Sequence, residues 1–466
     1  MKLTKRHIFN YSKTTMKPLL ISKNNLSSLE RQMLLAVNEA LLLSKPQIII
    51  KRYIGKLSEN KILVNGKAID VSKGKLYVLG WGKVSAAMAQ GIESILGTEM
   101  ITEGIVVSDN INYKLKKVKL LKGSHPLPSR ESVNAAKQII NLTKKFNEND
   151  HVLCLISGGG SSLLCLPVPQ ISLEDKIKAI NTMILSGLSV QELNIVRKRL
   201  SDVKGGKLAN HIYPAATINL IISDDVDNNI YSIASGATVP DSTTCEDALS
   251  IIKKYKLFNK LPLPVMKYLQ SNINDKNGIK PLEEPDIFGK TTTVIVFDNK
   301  SLLENIKITA QQKGFENIDI CKKTFRDDVE DAVYGFCSYI REAKAKYKNS
   351  KFLILAGGEA EVKSAHTGKG GRAQHFAALM MPRLKKFKKS SFAAIASDGK
   401  DFIEGIAGAL VNNNTMEAIK KKKIDYTPYI RDVDTFNLHK LLNTHIFTAK
   451  HSEINVFDVY LFCQEG

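Results

Sequence analysis

Residues 154–162 read Cys-Leu-Ile-Ser-Gly-Gly-Gly-Ser-Ser, an apolar run that opens into three glycines flanked by serines. Glycine lacks a Cβ, so the backbone N–H groups of such a turn can face inward together and surround an anion at the start of the next helix. Ser157, Gly158, Gly159, Gly160 and Ser161 are therefore candidate phosphate or substrate contacts. The same punctuation recurs at 75–83, 219–225, 352–359 and 392–399, where Gly, Ser or Asp directly follows a hydrophobic run. Ligands of α/β proteins sit beyond the carboxyl ends of strands, so these five tips are candidates for one site.

Two of the tips carry aspartates, Ser223-Asp224-Asp225-Val226-Asp227 and Ser397-Asp398-Gly399-Lys400-Asp401, and Lys83, Lys207 and Arg372 lie beside others. Glycine turns, cations and carboxylates together suit phosphoryl transfer, in which Mg²⁺ and positive side chains neutralise charge while an acceptor hydroxyl is held in line. Mg²⁺ needs only one or two carboxylates. Turn and helix-cap chemistry also favours Asp and Ser at strand ends, and would account for either cluster alone. Gly80-Trp81-Gly82-Lys83-Val84-Ser85 is a weak dinucleotide fingerprint, because its third glycine is Ser85. No GxxxxGK[ST] and no GxSxG occurs.

Stepping along the chain, short β-like runs at 76–79, 104–107, 152–156, 218–222, 293–297, 352–356 and 392–396 alternate with long helical stretches. Strands so spaced need crossover helices, which predicts an α/β fold of mainly parallel, Rossmann-like sheets with helices on both faces. The 466 residues suit two domains. A polar stretch at 271–290 marks the expected boundary, giving a domain at 28–275 and another at 285–466. Six scattered cysteines without a CxxC pair read as free thiols.

The net charge of +21 raises nucleic acid as a partner. Yet the lysines gather in short runs such as 344–351, 384–389 and 419–424, without interleaved aromatics that would stack on bases. A solvated surface is the expected reading, with neither nucleic acid nor membrane as partner. The first 29 residues hold no acid, so 1–27 reads as a basic tail or a transit peptide, and the location as mitochondrion or cytoplasm.

Several ordered segments resemble the glycerate 2-kinase family with its MOFRL-type C-terminal domain. They are GSHPLPS at 123–129, ISGGGSSLL at 156–164, LNIVRKRLSDVKGGKLA at 193–209, ISDD at 222–225, IASGATVPDSTT at 233–244, GGRAQ at 370–374, and SDGKD with AGA at 397–401 and 407–409. The resemblance covers about 30–460 and implies two α/β domains with the active site in the cleft between them. It implies transfer of the γ-phosphoryl group of ATP to a hydroxyl of D-glycerate with Mg²⁺, by a monomer or homodimer.

Carried over by position, the resemblance makes Lys83, Asp224 and Arg372 the catalytic candidates. Ser157–Ser161, Lys207, Gly370, Gly371 and Gln374 become substrate or phosphate contacts, and Asp224, Asp398 and Asp401 the metal candidates. Arg372 would hold the glycerate carboxylate or the transition-state charge through its planar fork. His125 reads first as a structural loop residue. Three departures stand out: Asn228 replaces an aspartate of the family's SDVxGD, Phe402 a glycine of TDGxDGPTDAAGA, and residues 448–456 lose both glycines of TGPTGTNV. A weakened relative that binds nucleotide or hydroxy acid is thus a second reading. NAD-dependent hydroxypyruvate reduction is a third, resting on the weak glycine fingerprint.

Overall fold

The computed structural model describes residues 19–23, 25–273, 285–363, 367–449 and 452–466. Most of the basic segment, much of the polar stretch at the expected boundary, and Lys450 with His451 lie outside the described residues. Two compact units emerge, one of residues 46–296 and one that joins residues up to 45 with 297–466.

In the first unit a six-stranded sheet runs Thr291–Phe297, Ala216–Ile222, His151–Ser157, Leu76–Trp81, Glu103–Ser108, Val118–Lys122. The four pairings from 216–222 to 118–122 are parallel, as the helical spacing predicts. Both central strands are almost wholly buried, which is why they read as continuous apolar runs rather than alternating ones. Their register aligns the carboxyl ends: Trp81 pairs with Ile156 and Val107, and Ser157 with Ile222. The turns after 81, 157 and 222 therefore emerge from one sheet edge. Helices Leu173–Leu185, Val190–Arg199, Cys245–Lys254 and Leu263–Ser271 share a separate apolar core that includes Met183, Val196, Ile252 and Leu269.

The second unit has a seven-stranded sheet ordered Leu20–Ser22, His445–Thr448, Ile406–Asn412, Ser390–Ala396, Asp458–Gln464, Phe352–Gly358, Asn317–Ile320. Here the mainly parallel expectation gives way, because every pairing but that of 317–320 with 352–358 is antiparallel. Strand 406–412 follows 390–396 through a short loop with no crossover helix, and the last strand inserts between two earlier ones that run against it. Phe376 stacks on Tyr460 and Phe392, with ring centroids 4.2 and 5.4 Å apart, at the centre of this core.

Helix Ser28–Leu43, expected to open the N-terminal domain, belongs to the second unit instead. Its Glu30 closes a capping box with Ser27 and, although buried, accepts hydrogen bonds from Ser391 Oγ and Asn412 Nδ2, each at 2.9 Å. Thr309 Oγ1 of helix Asn299–Gln312 donates to Ala36 O at 2.8 Å. An apolar helix face needs a partner wherever one lies, and sequence order does not choose it. Leu20–Ser22 pairs with 446–448, so part of the expected tail is sheet. The six cysteines are buried free thiols. No helix among the described residues is long and apolar enough to cross a membrane.

Candidate functional site

Strand 151–157 ends in the turn Gly158-Gly159, and Gly159 has φ 78°, a left-handed conformation that glycine takes without strain. A Cβ on Gly158 would stand 2.4 Å from Asp224 Oδ2, and one on Gly159 would stand 2.9 Å from His125 Cδ2 and 3.1 Å from Lys83 Cγ. The turn is thus in contact with three side chains delivered by three different strand ends. Lys83 N donates to Gly158 O at 2.9 Å and Ser108 Oγ to Lys83 O at 3.0 Å, which fixes the backbone that carries the ammonium group. His125, read from sequence as structural, joins Lys83 and Asp224 here. Desolvation where the ring packs on the turn, and then the Lys83 ammonium, pull its pKa down to about 4, so it is neutral at pH 7.

The rest of the expected cradle is packed against its neighbours. Ser157 is buried and its Oγ accepts from Val84 N at 3.2 Å, securing the chain before helix Ser85–Leu96. Gly160 packs so closely that a Cβ would lie 2.8 Å from both Ala234 Cβ and Trp81 Cδ1. Ser161 Oγ lies 2.8 Å from Ser235 Oγ, which donates to Asn194 Oδ1 at 3.0 Å. Ala234 and Ser235 sit at φ 52° and 60°, a strained segment within the 233–244 stretch of the resemblance.

Lys207, a phosphate candidate from its sequence, turns onto the backbone in this structure. Its Nζ is buried and turned onto the carbonyls of Ser201 and Lys198, because the Gly205-Gly206 turn folds the following helix back over that loop. Burial lowers its pKa to about 8, and burial with nearby Lys176 lowers that of Lys204 to about 7. An unfolded chain keeps these protons up to an ordinary lysine pKa of about 10.4, while the folded chain releases them earlier. Stability from these two groups therefore rises as pH climbs from about 7 towards 10, and falls as pH returns to 7. Denaturant melts between pH 7 and 9.5 should show the midpoint rising for wild type and a flatter profile for Lys204→Met.

In the second unit, a cavity of about 410 Å³ opens beside the start of helix Arg372–Leu384, with Gly370, Arg372, Ser397, Asp398 and Asp458 in its wall. Arg372 pairs with Glu359, and its Nε lies 3.7 Å from Asp458 Oδ2. Burial works against its charge, but the two carboxylates more than compensate and keep it cationic. Burial pushes the Asp458 carboxyl upward, and the neighbouring Arg372 pulls it back. Glu359 directly follows one strand of this core and Asp458 opens another, and neither carries a local sequence signal that marks it as part of a site.

Asp401 and Gln374 bond each other. Asp401 is buried and its carboxylate accepts from Ala373 N at 3.1 Å, Gln374 N at 2.8 Å and Gln374 Nε2 at 3.0 Å, so both oxygens bond the helix start. Gln374 is fully buried by the same contact. Gly371 is needed for that approach, since a Cβ would stand 2.1 Å from Asp401 Oδ1, and a Cβ on Gly370 would stand 2.2 Å from Thr435 Oγ1. Asp398 keeps a place in the cavity wall, its Oδ1 accepting from Lys400 N at 2.9 Å.

The departures have local solutions. Asn228 takes φ 55°, which asparagine tolerates better than most residues. Ser452 is buried, with Oγ on Ser397 O and its N–H on Asp398 O at 3.3 Å, and Glu453 takes φ 64°. Among the described residues no three His, Cys, Asp or Glu side chains group closely enough to hold a metal ion.

The family model described as a domain of unknown function (DUF4147) matches residues 32–270, and the MOFRL family model matches 352–458. A glycerate 2-kinase of Pyrococcus horikoshii is 32% identical over 417 residues, covering 89% of this chain and 92% of that protein. A putative hydroxypyruvate reductase of Agrobacterium vitis is 30% identical over 383 residues, covering 81% and 96% respectively. The crystal structure of glycerate kinase from Thermotoga maritima superposes with a TM-score of 0.76 at 26% identity, over 93% of this chain and 99% of that one. With matches that run through both units and through the turns carrying Lys83, Asp224 and Arg372, the chain belongs to the glycerate kinase family.

Proposed function

We propose that this protein transfers the γ-phosphoryl group of ATP to the 2-hydroxyl of D-glycerate, giving 2-phosphoglycerate and ADP. The observation that carries the reading is the Gly158-Gly159 turn in contact with Asp224, Lys83 and His125. Backbone at a glycine turn can approach an anion closely, and the Lys83 ammonium offsets its charge. Asp224 accepts the proton of the substrate hydroxyl as its oxygen attacks phosphorus and the bond to the β-phosphate oxygen breaks. Phosphoryl transfer relies on positioning more than on basicity, so an ordinary carboxylate is sufficient. Neutral His125 leaves Lys83 as the local cation. The name of the Pyrococcus relative supports the 2-hydroxyl as acceptor.

The donor set also fits Mg²⁺. A hard cation that keeps several waters and binds mainly through phosphate oxygens asks for as little as one carboxylate, and Asp224, beside the Gly158-Gly159 turn, would hold it. When bound, it would neutralise phosphate charge. Arg372, held by Glu359 and Asp458, supplies a fixed cation for a substrate carboxylate or phosphate. A coupled assay for ADP release with D-glycerate, ATP and Mg²⁺, with phosphorus NMR of the product, tests the reading. Absence of ADP release overturns it, and 3-phosphoglycerate as product overturns the choice of hydroxyl.

The reductase reading finds less support. Gly80 lies inside strand 76–81, where a Cβ would be 2.8 Å from Val106 Cγ1 and 3.1 Å from Leu155 O, so it serves strand packing rather than a pyrophosphate loop. Reading this chain as a weakened binder has one observation in its favour. Glu453 occupies left-handed backbone, and Ser452 is anchored inward, where the resemblance has a glycine-rich loop. A kcat/KM at or above roughly 10⁴ M⁻¹s⁻¹ would set that reading aside.

A further inference from the structure

We infer that Phe402 is a stacking platform for the base of the nucleotide donor, in the cavity beside Arg372. Phe402 is 71% exposed, yet it lines the cavity of about 410 Å³ and adopts φ 63°. A bulky side chain in left-handed backbone is strained, and a solvated phenyl ring gains nothing from folding to offset it. Glycine, which the resemblance has at this place, would take the same backbone freely. The residue is nevertheless held firmly on both sides. Asp401 N donates to Ile406 O and Ile403 N to Asp401 O, both at 2.7 Å, and the Asp401 carboxylate is fixed to the start of helix 372–384. The loop thus presents its ring at the cavity as a rigid feature.

The cavity is two-natured: Arg372, Lys400 and Asp398 give its wall charge, while Phe402 supplies an aromatic surface. Its volume lies in the range that holds a small ligand. A ligand with a flat ring and a charged end fits both parts, and a nucleoside phosphate has that form. Glycerate has no aromatic ring to stack, so the phenyl group has no use for the acceptor. This inference rests on the kinase reading for the identity of the donor, and the position and geometry of Phe402 supply the rest.

The test compares wild type with Phe402→Gly, Phe402→Ala and Phe402→Trp, using calorimetric titration with ATP and with inorganic tripolyphosphate, which has no base. Loss of one stacked base is expected to weaken ATP binding by about tenfold in the Gly and Ala variants. Tripolyphosphate binding and the KM for D-glycerate should stay within twofold of wild type, and the Trp variant should retain ATP affinity. Phe402→Gly should melt no lower than wild type, because it relieves the backbone; a clear fall in its Tm would make the ring structural and overturn the proposal. Unchanged ATP affinity in the Gly variant, or equal loss of tripolyphosphate, would also overturn it while leaving the kinase reading intact. A wild-type protein that binds neither ATP nor tripolyphosphate and releases no ADP would overturn both.

Discussion

Replacing Asp241 by asparagine is expected to cost about 3–5 kcal/mol of stability, with a fall in Tm on the order of 10 °C. The Asp241 carboxylate is 3% exposed and faces two cations at once. Its Oδ1 accepts from Lys198 Nζ at 3.1 Å, its Oδ2 pairs with Arg199, and Thr243 Oγ1 adds a third donor at 3.0 Å from Oδ1. The side chains of Lys198 and Arg199 are 7% and 1% exposed, so water cannot replace the lost charge. Neutralising the acid leaves two buried cations without their counter-charge, close to Lys207, which burial already disfavours as a cation. The net worth of the intact group against an apolar replacement is a separate matter, since desolvation offsets much of the attraction. Set against a typical total of about 5–15 kcal/mol, the expected loss is large. Urea melts of wild type and variant measure it directly, and a difference below about 1 kcal/mol would show that the cluster contributes little.

The glycine tips were readable because the signal is local. A buried parallel strand is a continuous apolar run, and the residue that ends it is visible as the first glycine or aspartate, as at Ile156-Ser157-Gly158 and Ile222-Ser223-Asp224. The contacts that select among those residues are not local. Arg372 meets Glu359 and Asp458, two positions that become neighbours only because the last strand inserts between 352–358 and 390–396. Lys207 has the sequence surroundings of a phosphate ligand, a lysine after two glycines, but the carbonyls of 198 and 201 direct its ammonium group. Asp401 likewise shares its cluster with Asp398, yet only the approach of the helix start decides that one is committed to backbone and the other to the cavity wall. The strand directions of the second unit stayed hidden for a related reason. Connection length hints at a crossover only when a helix fills it, and the 397–405 loop contains none.

Lys83→Ala should lower kcat by about 10² or more while leaving Tm close to wild type. The side chain is half-buried against the Gly158-Gly159 turn, and its backbone is held by Gly158 O and Ser108 Oγ, interactions the substitution keeps. What disappears is the ammonium group, and His125 cannot replace it, because at a pKa of about 4 it carries no charge at neutral pH. Removal of Lys83 also removes one reason for that low value, so the His125 pKa should move upward in the variant, a shift that proton NMR of the ring would follow. Asp224→Asn should cost about 10²–10⁴ in kcat if its carboxylate takes the hydroxyl proton. Both groups touch the same two-residue turn, so in the proposed mechanism they act on one transferring phosphoryl group. Their effects should then fall short of multiplying: the double variant should lose clearly less than the product of the two single losses. Strict multiplication, or a near-normal kcat for Lys83→Ala, would separate the two residues and assign Lys83 to the surface.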